Sequence, residues 1–234
     1  MRTFPACLAA GLTFAVLVAA PVRSRADAPA TGSATDAAAA YTRTITERSA
    51  KIVAALALHD AAQSNRVQSI LVDQYRALNA WHETNDAPVK ALNKILHGAD
   101  AGAAAAARQE IAQRQTTLQA VHQAFLDKLA AELNAEQIEA VKDQMTYHKV
   151  KVTYDAYCEI VPHLTAEEKA HVLQLLKDAR ELAMDGGSAG EKSAIFNQYK
   201  GKINNYLTAQ GHNVSQAYKD WGARQKAKAA ARKP

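Results

Sequence analysis

The chain has 234 residues, with 28 Lys and Arg against 23 Asp and Glu, a formal net charge of +5 and two cysteines. With an N-terminal leader removed, about 200 residues remain, enough for one ordinary domain that buries roughly 70% of its unfolded surface, so neither disulfides nor a structural metal is needed. The surplus charge sits at the ends, in Arg2, Arg23 and Arg25 and in an acid-free C-terminal stretch carrying Arg224, Lys226, Lys228, Arg232 and Lys233; the mildly acidic body between them excludes a nucleic-acid binder built on a basic face.

Residues 1–26 read as a cleaved signal peptide. Arg2 precedes an uncharged apolar run over residues 6–20 that Pro21, Arg23 and Arg25 stop, and Ser24 and Ala26 place small residues before a mature start near Asp27. The run is too short for a transmembrane helix, and no other segment is apolar enough to be one. This implies a periplasmic or secreted protein. Cys7 leaves with the leader, so the lone Cys158 of the mature chain, with no internal disulfide partner, is expected to be buried.

Residues 27–35 form a small, polar, flexible lead-in. Helical spacing then dominates: Ile45, Ser49, Ile52, Val53 and Leu56 share one face, and Val67, Ile70, Leu71, Gln74, Tyr75, Leu78 and Trp81 share the next, with His59 and Asp60 at the turn between. Asn85, Asp86 and Pro88 end the second helix and begin a short third one, and residues 98–107 read as a low-complexity loop grading into a long helix whose apolar face runs from Ile111 through Leu118, Val121, Phe125 and Leu129 to Leu133. Leu133-Asn134-Ala135-Glu136-Gln137 and Leu164-Thr165-Ala166-Glu167-Glu168 each put a capping residue three positions before Gln or Glu, the form of a capping box.

Between the two boxes, Val150, Val152 and Tyr154 alternate as in a strand, which implies an extended break near residues 148–152; Thr153 then caps a short helix ended by Pro162. Val172, Leu175, Leu176, Ala179 and Leu182 form a further stripe stopped by Gly186 and Gly187, and Ile195, Phe196, Tyr199, Ile203, Tyr206 and Leu207 another, stopped by Gly211. A last helix carries Tyr218 and Trp221. Residues 36–221 thus form an all-α, single-domain antiparallel bundle of about seven helices, and residues 222–234 a basic, Ala-rich tail that reads as a solvated helix end or a contact for anionic surfaces.

Most catalytic designs are missing. His82-Glu83 begins a zinc-protease pattern, but Asp86 stands where the second histidine belongs; Glu168 and His171 make one Glu-x-x-His pair where a di-metal bundle needs two. One mature cysteine excludes covalent c-type haem, no phosphate-binding glycine loop occurs, and Gly187-Ser188-Ala189-Gly190 is a loop and no nucleophile elbow. Asp143 and Asp155 are the only carboxylate pair singled out for glycosidase chemistry, among many acids in the chain. No cofactor or metal is therefore expected, and the enzyme reading ranks last. The best binding surface is a polar and aromatic set: Asp143, Tyr147, His148, Tyr154, Asp155 and Tyr157, with Lys200, Asn204, Asn205 and Tyr206. Tyrosine offers a flat face with a hydrogen-bonding tip and asparagine both donor and acceptor, which suits a glycan or peptide, although buried Tyr and Asn in a bundle also satisfy one another.

Met145-Thr146-Tyr147, Thr153-Tyr154-Asp155-Ala156-Tyr157, Glu181-Leu182-Ala183-Met184-Asp185 and residues 200–207 (KGKINNYL) resemble an uncharacterised family of secreted bacterial helical proteins, domain of unknown function 3826. The resemblance is densest over residues 136–221. It implies a helical fold and envelope localisation, no established activity, and a loose tie to degradation of plant polysaccharides. The two capping boxes are also similar to the Leu-Thr-x-x-Gln helix starts of the periplasmic Spy and CpxP proteins, though Asn134 replaces Thr in one and Glu168 replaces Gln in the other. That likeness implies an ATP-independent holdase or envelope-stress role, the alternative to a glycan-related binding or accessory protein.

Overall fold

The computed structural model describes residues 31–231; the predicted signal peptide and the start of the lead-in lie outside them. Contacts divide the chain into Met1–Ala39 and Ala40–Pro234, and the second unit holds the core and the site described below. Eight helices are described: α1 (Thr31–Ala55), α2 (Ala61–Leu96), α3 (Ala101–Ala130), α4 (Ala135–Met145), α5 (Lys149–Ile160), α6 (Ala166–Met184), α7 (Ala189–Ala209) and α8 (Val214–Ala231). The all-α bundle is as expected, with one helix more than the predicted seven or so, and α1 already begins inside the predicted lead-in.

Several boundaries differ from the sequence reading. α2 runs straight through Pro88. A proline inside a helix forfeits a hydrogen bond, but here α2 lies along α3, where Ala104 and Ala107 are buried and Arg114 Nη1 donates to Asn85 Oδ1 at 2.8 Å. The alanine-rich stretch is therefore the start of α3, small enough for close approach, and Asp100 caps it by accepting from Gly102 N and Ala103 N at 2.8 and 3.0 Å. Both capping boxes form, at Asn134 with Gln137 and at Thr165 with Glu168.

The predicted extended break is a helix. Val150, Thr153, Tyr157 and Ile160 point inward from α5 while Val152 is 64% exposed, so helical spacing and not alternation decides burial, and Thr153 sits inside the helix instead of capping it. The interruption is shorter: Tyr147 and His148, at φ 59° and 54°, turn the chain between α4 and α5. Likewise Leu182 is 54% exposed, and the inner face of α6 continues through Ala179, Ala183 and Met184. Ser188 is the N-cap of α7, accepting from Glu191 N, where a loop was expected through Gly190.

Two apolar clusters fill the bundle. One joins α1 to α4 through Ile45, Ile52, Leu71, Phe125, Leu129 and Val141 and includes Met184; the other joins α5 to α8 through Tyr157, Ile160, Leu176, Phe196, Ile203 and Val214. The basic C-terminal segment is helical as far as Ala231, and Trp221 Nε1 and Gln225 Nε2 bind the Glu159 carboxylate while Arg224 Nη2 caps the Glu159 carbonyl at 2.8 Å. A cation at the exposed end of α5 satisfies a terminal carbonyl and opposes the helix dipole. Cys158 is a free thiol, half-buried instead of fully buried.

Candidate functional site

Tyr41, Thr44, Ile45 and Arg48 lie at i, i+3, i+4 and i+7 on α1, and Tyr75, Leu78, Asn79 and His82 repeat that spacing on α2, so each helix turns one stripe to the same space. The link between α6 and α7, residues 186–189, and Lys192 on the first turns of α7 close another side, with Tyr147 at the edge. Together they line a cavity of about 270 Å³. This is near the lower end of small-ligand sites.

The lining holds Arg48, His82 and Lys192 and no carboxylate. Arg48 has no ion pair among the described residues and stacks over the Tyr75 ring, 5.4 Å from its centroid. Burial lowers the Lys192 ammonium to about 8; it donates to the Ala183 and Met184 carbonyls, both at 2.9 Å, which leaves one N–H. Tyr75 is 6% exposed, and its hydroxyl has no hydrogen-bond partner among the described residues. Burial lifts that hydroxyl to about 12, against the pull of Arg48, so it remains a donor. Tyr41 is already used, donating to the Tyr75 carbonyl at 2.8 Å. An orphaned hydroxyl in a dry wall costs about 1–3 kcal/mol, and a ligand with an acceptor oxygen removes that cost.

Tyr147 reaches the cavity at a conformational cost. His148 N donates to the Asp143 carbonyl and Tyr147 N to the Gln144 carbonyl, a Schellman closure of α4 with Tyr147 at the left-handed position. The end of α7 makes the same closure with Gly211 at φ 94°, where glycine carries no Cβ penalty. Tyr147→Gly should therefore stabilise the fold by about 0.5–1 kcal/mol in urea unfolding, by relief of the left-handed strain, while opening the cavity edge.

A charge network backs the site. His82 Nε2 bonds the Asp185 carbonyl at 2.7 Å; the Asp185 carboxylate meets His122 Nδ1 at 2.9 Å; Lys142 Nζ binds Glu181 Oε2 at 2.9 Å; and Arg180 Nη2 reaches Glu139 at 2.7 Å and Glu181 at 3.2 Å. The hydrogen bond to Asp185 and the Glu181 carboxylate, 3.7 Å from Nε2, raise His122 to about 9. Burial alone would raise Glu181, but the His122 ring 3.7 Å away, the bond from Lys142 and the neighbouring charges bring it down to about 2. His122 is thus a cation and Glu181 an anion through the neutral range, locking α3, α4 and α6 behind the cavity.

The predicted binding residues fall into separate arrangements. Tyr147 lines the cavity. Asp143 pairs with His148 Nδ1 at 2.7 Å, and Asp155 with Lys151 at 2.6 Å on the outside of α5, so the two carboxylates singled out for hydrolysis each hold a cation. Tyr157 is buried, donating to Asn204 Oδ1 at 2.8 Å, with the Lys200 carbonyl 3.1 Å from its hydroxyl; Tyr154 packs beside it, Asn205 is exposed, and Tyr206 stacks on His171 with ring centroids 4.0 Å apart. Glu168 serves its capping box and His212 instead of His171. Arg48, Lys192 and the Gly186-Gly187 link were missed as site residues; the signal available was the helical spacing of polar groups within otherwise apolar stripes of α1 and α2. A wider groove of about 550 Å³ between α2 and α3 is lined by Asn85, Glu110 and Arg114, which already pair with one another.

No curated protein matches the chain. The family model for proteins of unknown function, DUF3826, matches residues 42–227, a span that takes in every residue lining the cavity except Tyr41 and all but the ends of the described bundle. The chain belongs to the DUF3826 family of proteins of unknown function.

Proposed function

We propose that the protein is an exported, non-catalytic binding protein of the bacterial envelope whose cavity takes the carboxylate end of an acidic glycan fragment. The observation that carries this reading is the unpaired Tyr75 hydroxyl beside the uncompensated Arg48 guanidinium, in a lining without acids. A carboxylate accepts from both groups, and a charge-assisted bond to a guanidinium is about twice as strong as a neutral one. Tyr41 and Tyr147 add flat faces of the kind that pack on sugar rings. The leader-like apolar run over residues 6–20 supports export. The exposed large apolar side chains Ile95, Tyr147, Val152 and Leu182 are single residues on different elements, so no observation favours the client-holding alternative.

Isothermal titration with galacturonate oligomers, neutral xylose oligomers of equal length and an acidic dipeptide tests the reading. Saturable heat is expected with the acidic sugar alone, weakening with salt, and Arg48→Ala should lower affinity at least tenfold, about 1.4 kcal/mol. Equal response to neutral sugar, or an acidic response indifferent to Arg48→Ala, rejects it.

A further inference from the structure

The structure carries a second set of convergent groups beside the cavity. A ring nitrogen of His82, a carboxylate oxygen of Asp86 and one of Glu191 lie within 4.8 Å of one another, and His82 Nδ1 stands 2.8 Å from Asp86 Oδ1. His82 and Asp86 are one turn apart on α2, and Glu191 arrives from the first turn of α7, so two elements distant in sequence supply the set. The Asp185 carbonyl accepts at His82 Nε2, at 2.7 Å. In a neutral imidazole this places the proton on Nε2 and a lone pair on Nδ1, the arrangement that a backbone carbonyl imposes on metal-ligating histidines. In that tautomer Nδ1 and the two carboxylates all face one another as acceptors, a set that is satisfied either by a proton on Nδ1 shared with Asp86 or by a metal ion.

Gly187 holds the arrangement from both sides. Its N–H donates to Glu191 Oε2 at 2.7 Å, and a Cβ on it would come within 2.9 Å of His82 Cγ and Cδ2, so its bare backbone is packed on the imidazole face. We propose that His82, Asp86 and Glu191 form a binding site for one divalent transition-metal ion of the zinc class. An imidazole nitrogen selects such ions over calcium or magnesium. Zinc sits about 2.0–2.2 Å from nitrogen and carboxylate ligands, so two of its ligands stand at most about 4.4 Å apart. The exposed carboxylates of Asp86 and Glu191 close the remaining gap by rotamer change. Three protein ligands leave coordination positions free for water or another donor. The sequence pattern looked broken because a protease-type site wants histidine at position 86; the third ligand comes instead from α7, more than a hundred residues away.

The test is a zinc titration of the chelator-stripped protein against a chromophoric competitor, with no sugar present, so that its outcome is separate from that of the cavity reading. One equivalent should bind with micromolar or tighter affinity and raise the melting temperature. Asp86→Asn and Glu191→Gln should each weaken binding at least tenfold and abolish the rise, whereas His163→Gln, at an exposed histidine elsewhere, should change neither. Both acids are exposed, and circular dichroism should show their variants folded. No saturable zinc uptake, or uptake unchanged by Asp86→Asn and Glu191→Gln, overturns the proposal, with the His82–Asp86 contact then a plain imidazolium ion pair.

Discussion

Glu181→Gln should lower stability by about 2–3 kcal/mol near pH 6, a drop of about 5–10 °C in melting temperature. The amide keeps the shape and removes the charge, leaving Arg180, whose side chain is 6% exposed, and Lys142 and His122 with less negative charge between them. The full 3–5 kcal/mol of a wholly buried pair does not apply, because about a third of the Glu181 side chain meets solvent. The same network sets a pH profile. His122 is raised to about 9, so its contribution is complete below its unfolded value near 6.5 and is lost as pH rises toward 9; Glu181 is depressed to about 2, so its contribution is complete above about 4.5 and is lost as pH falls toward 2. Urea midpoints should therefore plateau between about pH 4.5 and 6.5. Glu181→Gln should flatten the acid limb and shrink the alkaline one, since Asp185 still holds His122.

Gly187→Ala should cost about 2 kcal/mol despite adding a single methyl group. The new Cβ would meet His82 Cγ and Cδ2 at 2.9 Å, and that ring is pinned at both nitrogens, by the Asp185 carbonyl and by Asp86, so it moves only by giving up a hydrogen bond. Loss of acidic-sugar binding should accompany the loss of stability, because Gly187 and His82 both line the cavity. Adding His82→Ala removes the clash, so the double variant should be more stable than the sum of the single losses predicts, by about 1 kcal/mol. Strict additivity in urea unfolding would mean that the chain between α6 and α7 relaxes away from α2 without resistance, and that the ring is not held as described.

Much of the fold was legible in the chain because helical periodicity and capping are local. The stripes from Ile45 to Leu56, Val67 to Trp81 and Ile195 to Leu207 became faces of α1, α2 and α7, and the boxes at Asn134 and Thr165 formed as read. Where local rules compete, neighbours decided. Pro88 and the alanine run each signal a break, yet packing of α3 along α2 kept both segments helical. Val152 alternated with Val150 and Tyr154 as in a strand, but without a partner strand the backbone satisfied itself as α5 and turned Val152 outward.

The candidate site shows the same division. Tyr147 was singled out for its chemistry and does line the cavity, whereas Tyr157 and Asn204 satisfy one another in the core, as was allowed for buried Tyr and Asn. His82 and Asp86 were visible as an incomplete pattern. Residue order determined the helices, their caps, the small positive surplus and the polar groups set into apolar stripes. Tertiary structure alone decided that Arg48, Tyr75 and Lys192 share a cavity, that Glu191 completes a triad with His82 and Asp86, and that His122 and Glu181 hold each other charged. Periodicity reports which face of a helix turns inward, but the distance between groups on different helices depends on how the helices pack, and no spacing along the chain encodes it.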